Sequence, residues 1–183
     1  MKTAITLSGS IRRGSYNRML QAHVSARLAA AGVGVTDLDL GDFPMPIFNE
    51  DLEPDAVPEA SPRLAGLFRE ADIVFIATPE YNGGVPPLVV NMLAWLSRQK
   101  PSPFRHAVFG IGGVSSGKYG TIWSLSHLRD QLTKLEALVV PTLLGIGPAS
   151  QAFDEAGAPV ERSVIRKIDQ IVLEMTAFSR GEA

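Results

Sequence analysis

Residues 73–77 read Ile-Val-Phe-Ile-Ala with no polar break. A strand with one wet face would alternate apolar and polar positions. This run does not, and Asp72 and Pro79 bound it too tightly for a helix. It predicts a parallel strand covered on both faces, and such a strand exists only in a sheet sandwiched by helices. The rest of the chain supplies that sandwich. Strands are expected over residues 2–7, 33–40, 72–78, 106–112 and 138–144, and helices over 17–31, 62–70, 87–98, 120–135 and 160–178. In the first helix Leu20, Val24 and Leu28 form an apolar row, and Gly32 follows as a stop signal. Residues 41–62 are polar and proline-rich and read as a surface excursion. The whole chain, 1–183, is expected to be one α/β domain. In a doubly wound sheet the ligand lies beyond the carboxyl ends of the strands, which singles out the loops after strands one, three and four.

The first of these is SGSIRRGSYN, residues 8–17. It offers amides at a helix N-terminus, where unpaired N–H groups and the helix dipole favour an anion. Ser8, Ser10, Ser15 and Asn17 add neutral donors, and Arg12 or Arg13 a charge-assisted one. Helix capping by Ser15 or Asn17 accounts for part of this composition but not for both arginines. A phosphate site is the expectation. The loop has neither the three glycines of a dinucleotide fingerprint nor the Lys-Ser/Thr of a P-loop.

The second loop, PEYNGGVPP (79–87), joins Pro79, which fixes backbone geometry, to a Gly83-Gly84 pair that lets main chain approach a flat ligand. Tyr81 adds an aromatic face, and Glu80 is the only carboxylate, a capping or solvated group rather than a catalytic acid. The third, GIGGVSSGKYG (110–120), contains Gly112-x-x-x-x-Gly117-Lys118. That is P-loop spacing, but Tyr119 stands where Ser or Thr would ligate magnesium. A nucleotide phosphotransferase is therefore one reading, and a second small-residue loop lining the same crevice fits better.

Composition removes other classes. There is no cysteine, so thiolate nucleophiles, disulfides and Cys-ligated metals are excluded. The three histidines have no ligand spacing, so no metal is expected. A net charge of −2 gives no reason to expect nucleic acid. No apolar run reaches the ~20 residues of a membrane helix, and a cytoplasmic location is expected. The row Leu88, Met92, Trp95 and Leu96 reads as core or subunit interface.

Together these loops resemble the NADPH-dependent FMN reductase family of the flavodoxin-like fold, which includes quinone, chromate and azo-dye reductases. GSIRRGSYNRML at 9–20 is similar to its phosphate loop, with Gly9, Ser10, Arg12, Ser15, Asn17 and Leu20 in matching places. TPEYNGGVPPLVVNMLAWLSR at 78–98 resembles its second signature, and SSGKYG…HLR at 115–129 its third. Gly84, Pro87 and Ala94 depart from that pattern, as do Thr121, Trp123 and Leu125, which stand where the family usually has glycine, arginine and glutamine.

The resemblance implies a three-layer sandwich with strand order 2-1-3-4-5, FMN as cofactor and NADPH or NADH as co-substrate. Ser10, Arg12, Ser15 and Asn17 would hold the FMN phosphate. Pro79, Glu80, Tyr81, Asn82 and Gly83 would line the isoalloxazine and ribityl chain, largely through backbone groups. Ser115 and Gly117 would close the far side. The partners implied are a nicotinamide nucleotide and a small electron acceptor (quinone, azo compound, chromate or free flavin). A homodimer or homotetramer is expected, and no general acid or base is obvious. The rival of another class is an FMN-binding electron carrier that does not itself oxidise NADPH; such carriers are strongly acidic, which −2 does not suit.

Overall fold

The computed structural model describes residues 1–53 and 55–179. One sheet holds β1 (Thr3–Ser8), β2 (Gly34–Leu38), β3 (Ile73–Ala77), β4 (Val108–Val114) and β5 (Leu138–Ile146), all parallel, in the order β2-β1-β3-β4-β5. The α-helices are α1 (Tyr16–Ala30), α2 (Ala60–Glu70), α3 (Pro87–Ser97), α4 (Ile122–Lys134) and α5 (Arg162–Ala177). This is the flavodoxin-like sandwich expected from the sequence. β3 shows why its sequence is continuously apolar: Ile73, Phe75 and Ala77 enter the core under α1 and α5, whereas Val74 and Ile76 enter the core under α2, α3 and α4. Every residue of β3 is buried.

Among the element boundaries that differ from the sequence reading, three have a clear physical cause. β4 runs to Val114 because its glycines are packing residues, not loop residues. A Cβ on Gly112 would sit 3.1 Å from both Leu144 and Phe75. β5 extends to Ile146, which pairs with Val114. β2 stops at Leu38, since the Asp39 carboxylate accepts from the Gly41 N–H and turns the chain into a short 3-10 segment. The α3 row takes the first of its two expected uses, core. Met92, Trp95 and Leu96 are buried in the chain's own core, and the excursion after β2 covers Trp95. The indole N–H donates to the Pro46 carbonyl at 2.8 Å, Phe48 stands edge-on to the ring, and the Asn91 amide holds the main chain of Met45, Pro46 and Phe48. Met92, Trp95 and Leu96 are therefore core, with Leu88 partly buried beside them.

The pairing of β4 with the edge strand β5 is irregular at Gly110, where β5 residues 140–142 fall out of register. There Glu174 of α5 accepts from the Thr142 N–H and hydroxyl, and Arg129 of α4 donates to the Val140 and Pro141 carbonyls. Burial alone would raise the Glu174 carboxyl; the hydrogen bonds from Gln170 and Thr142 outweigh it and hold the group below its ordinary value.

At the opposite side of the sheet, Arg18 of α1 pairs with Asp39 and donates through Nε to the Ser10 carbonyl at 3.3 Å. The Gly41 N–H and then Arg18 hold the Asp39 carboxyl below its usual range. A depressed folded value means that the pair stabilises the fold above the unfolded value and loses that contribution as pH falls through the folded one. Both partners are partly exposed, so solvent screening keeps the contribution small. Asp39→Asn is expected to lower stability at pH 7 by roughly 0.5–1 kcal/mol. In urea titrations from pH 7 to pH 3 the gap to the parent should narrow as the pH drops below about 4.

Glycine substitutions test the packing. At Gly113 a Cβ would lie 2.1 Å from the Thr78 carbonyl oxygen and 2.4 Å from Thr121 Oγ1. At Gly110 it would meet only the flexible end of Met175, at 2.3 Å from Sδ. Gly110→Ala should cost ~1 kcal/mol because Met175 can swing away, and Gly113→Ala more than ~3 kcal/mol because main chain cannot. Urea midpoints of the two variants check the order.

Candidate functional site

A cleft opens above the carboxyl ends of β1, β3 and β4. It is lined by Ser10, Arg12, Ser15, Tyr16 and Asn17 from the first loop, Pro79, Glu80 and Tyr81 from the second, and Val114, Ser115 and Ser116 from the third, with Ala149 beyond β5. The three loops singled out in the sequence thus meet at one place.

Loop one turns on Gly14, whose φ of +65° suits glycine, and enters α1 at Ser15. The Ser15 hydroxyl accepts from the Asn17 N–H and caps the helix. Capping uses one amide and leaves others. Among the described residues the main-chain N–H groups of Arg13, Gly14, Ser15 and Tyr16 find no acceptor. The exposed Arg12 guanidinium likewise has no partner among them. Four free donors and a cation at a helix N-terminus match the needs of a phosphate dianion, so the residues present fit the phosphate end of a flavin nucleotide.

Asn17 does something the sequence did not suggest. Its Nδ2 donates to the Val114 carbonyl at 3.0 Å and its Oδ1 accepts from the Val114 N–H at 2.9 Å. The side chain is buried. It completes the last main-chain pair of β4 and locks loop one to loop three.

Loop two is a tight hairpin. Tyr81 and Gly84 exchange N–H···O bonds at 3.0 and 2.9 Å, with Asn82 at φ 52° and Gly83 at φ 74°. Two successive left-handed residues are the signature of a type I′ turn, for which Asn-Gly is the favoured pair. Asn82 and Gly83 form its tip and do not line the cleft. Glu80 Oε2 accepts from the Trp123 and Ser124 N–H groups, each at 3.0 Å, and the Ser124 hydroxyl donates to the Pro79 carbonyl at 3.0 Å. Thr121, at the cap position of α4, makes no side-chain cap. Glu80 therefore caps α4 from another loop, and its carboxylate is engaged there while the residue lines the cleft.

In loop three Ser115 lines the cleft while its Oγ donates to the Gly120 carbonyl at 2.6 Å. Gly117 lies outside the cleft lining; its carbonyl packs against Gly147, where a Cβ would lie 2.1 Å away. Because Gly112 sits inside β4, the P-loop spacing does not form a phosphate-wrapping loop. Tyr16, Val114, Ser116 and Ala149 were not anticipated. Tyr16 and Ser116 flank motif residues and were legible as neighbours, whereas Ala149 carries no sequence signal.

The comparisons with known proteins agree with this geometry. The family described as NADPH-dependent FMN reductase matches residues 1–151. The chain is 34% identical over 167 residues to an NAD(P)H-dependent FMN reductase of Pseudomonas aeruginosa, covering 90% of this chain and 88% of that protein. It is 32% identical over 178 residues to a quinone reductase of Escherichia coli, covering 95% and 92%. Among solved structures, the flavoenzyme NAD(P)H:(acceptor) oxidoreductase FerB from Paracoccus denitrificans superposes with a TM-score of 0.76 at 24% identity, covering 98% of this chain and all of that one (100%). A flavodoxin from Pseudomonas aeruginosa superposes with a TM-score of 0.59 at 17% identity, which shares the fold alone. No described helix is long and apolar enough to cross a membrane. With its fold, its three converging loops and these relatives in agreement, the chain belongs to the NADPH-dependent FMN reductase family, oxidoreductases that use FMN and NAD(P)H.

Proposed function

We propose that this chain is an NAD(P)H-dependent quinone reductase that holds FMN in the cleft described above. The observation that carries the reading is the set of free N–H groups at residues 13–16 beside the unpaired Arg12. Ser10, Arg12 and Ser15 hold the phosphate. Asn17 keeps the loop against β4. The main chain of Pro79, Glu80 and Tyr81 flanks the ring, with Asn82 and Gly83 shaping the turn, and Ser115 bounds the far side while Gly117 lets its loop close. Support for a quinone as acceptor comes from the relatives named quinone reductase.

When bound, FMN supplies the two-electron chemistry. The protein's own contribution is to bind, orient and shield. No carboxylate or imidazole is free to act as acid or base inside the cleft, since Glu80 is held by two α4 amides. Oriented N–H dipoles favour negative charge in the cleft without proton transfer from a side chain.

The purified protein, supplemented with FMN and desalted, should stay yellow and should bleach on anaerobic addition of NADPH. Retained flavin that stays oxidised would favour the electron carrier instead. Arg12→Ala removes one charge-assisted hydrogen bond of ~1.5–3 kcal/mol and should weaken FMN binding roughly ten- to a hundredfold. Its urea midpoint should match the parent's. Asn17→Ala leaves the Val114 N–H and carbonyl buried and unpaired, and should cost the fold ~2–4 kcal/mol. Fluorescence titration with FMN and urea unfolding distinguish the two roles.

A further inference from the structure

The first turn of α4 carries two large apolar side chains that the fold does not use. Ile122 and Trp123 are 51% and 62% exposed, although Thr121 and Ser124 on either side are fully buried. The other tryptophan, Trp95, is fully buried, with its N–H bonded and its ring packed on Phe48. Packing therefore does not explain Trp123.

Its position is fixed. The Trp123 N–H donates to Glu80 Oε2 at 3.0 Å, which anchors its backbone beside the residue that precedes Tyr81. Side chains in a helix lean toward its N-terminus and cover the turn before their own Cα. Tyr81 lines the cleft and is itself 51% exposed. Trp123 is not among the lining residues, but its main chain is tied through Glu80 to the hairpin that carries Tyr81, so Glu80 joins two segments that each bear an exposed aromatic residue.

We propose that Trp123, with Tyr81, forms an aromatic rim on the cleft and is the residue by which this chain selects flat, uncharged aromatic acceptors of the quinone class. The inference rests on the reading of the chain as an FMN-holding reductase and adds the residue that discriminates among acceptors. An electron-rich indole offers an extended face to an electron-poor quinone ring, and offset stacking is favourable beyond the area it covers. An octahedral anion such as ferricyanide has no face to stack and gains nothing from the indole. The overall reaction balances without any further group: NAD(P)H supplies two electrons and one proton, water supplies the second proton, and NAD(P)⁺ and hydroquinone leave. Glu80 acts as a positioning residue, because its carboxylate ties the start of α4 to the hairpin that carries Tyr81.

The test uses the FMN-loaded protein with menadione and no nicotinamide, so that binding is read by equilibrium dialysis without turnover. The absence of cysteine removes thiol addition to the quinone. Trp123→Ala should raise the menadione dissociation constant about tenfold, the equivalent of ~1.4 kcal/mol, and Trp123→Phe should recover most of that loss. In turnover, the ratio of kcat/KM for menadione to that for ferricyanide should fall by a similar factor in Trp123→Ala. An unchanged dissociation constant overturns the inference, including where sedimentation shows that the substitution only breaks a contact between two copies of the chain. Equal losses for menadione and ferricyanide also overturn it. A parent protein that retains no FMN, or that NADPH does not bleach, instead sinks the underlying reading; a parent that bleaches, paired with a variant indistinguishable from it, sinks only the role of Trp123.

Discussion

Burial of the sheet on both faces is the constraint from which the rest of this protein follows. With β3 wholly buried and its residues divided between two cores, no side chain in the middle of the sheet can meet a ligand. Polar chemistry is displaced to the carboxyl ends of the strands, where the main chain must change direction three times within a small space. Three consecutive solutions to that problem, a capped helix start, a type I′ hairpin and a serine-bearing loop after β4, together form the cleft. Binding and folding therefore draw on the same hydrogen bonds: Asn17 closes β4 while holding the phosphate loop, and Glu80 caps α4 while holding the hairpin.

How much of this was legible depended on whether the cause was local. The apolar run of β3, the Ser15 cap and the glycine after α1 act over a few residues, and their signals lie in a few residues. The site loops were found for the same reason. What could not be read are pairings across the chain. Nothing near Asn17 announces Val114, 97 positions away, and nothing near Glu80 announces the amides of α4. The glycines of β4 misled in the opposite sense. A run such as Gly-Ile-Gly-Gly has loop composition, yet its members lie in a strand because Met175, Leu144, Phe75 and the Thr78 carbonyl leave no room for a Cβ. The row Leu88, Met92, Trp95 and Leu96 was legible as core or subunit interface, but nothing in it announced that the excursion after β2 would cover Trp95.

A cleft built mainly from main-chain donors constrains its own variation in an unusual way. Many side chains around it can change so long as the backbone path is kept, because the N–H groups stay where the helix start and the turn put them. The path in turn hangs on a few residues remote from the ligand. The backbone-defined part suits a constant ligand, while exposed side chains such as Tyr81 and Trp123 are free to differ without disturbing it.

The irregular edge of β5 has a consequence of another kind. A free strand edge is a template for the strands of other molecules. At residues 140–142 of the edge strand β5, Pro141 carries no N–H, the Thr142 N–H is bonded to the Glu174 carboxylate, and the Val140 and Pro141 carbonyls are bonded to the Arg129 guanidinium, so this stretch has few main-chain groups to offer. Two of these three guards come from helices α4 and α5, which must already be in place for the guard to exist. Until α5 docks, the Thr142 N–H is open to another strand, so α5 helps to shield this edge as well as to build the core.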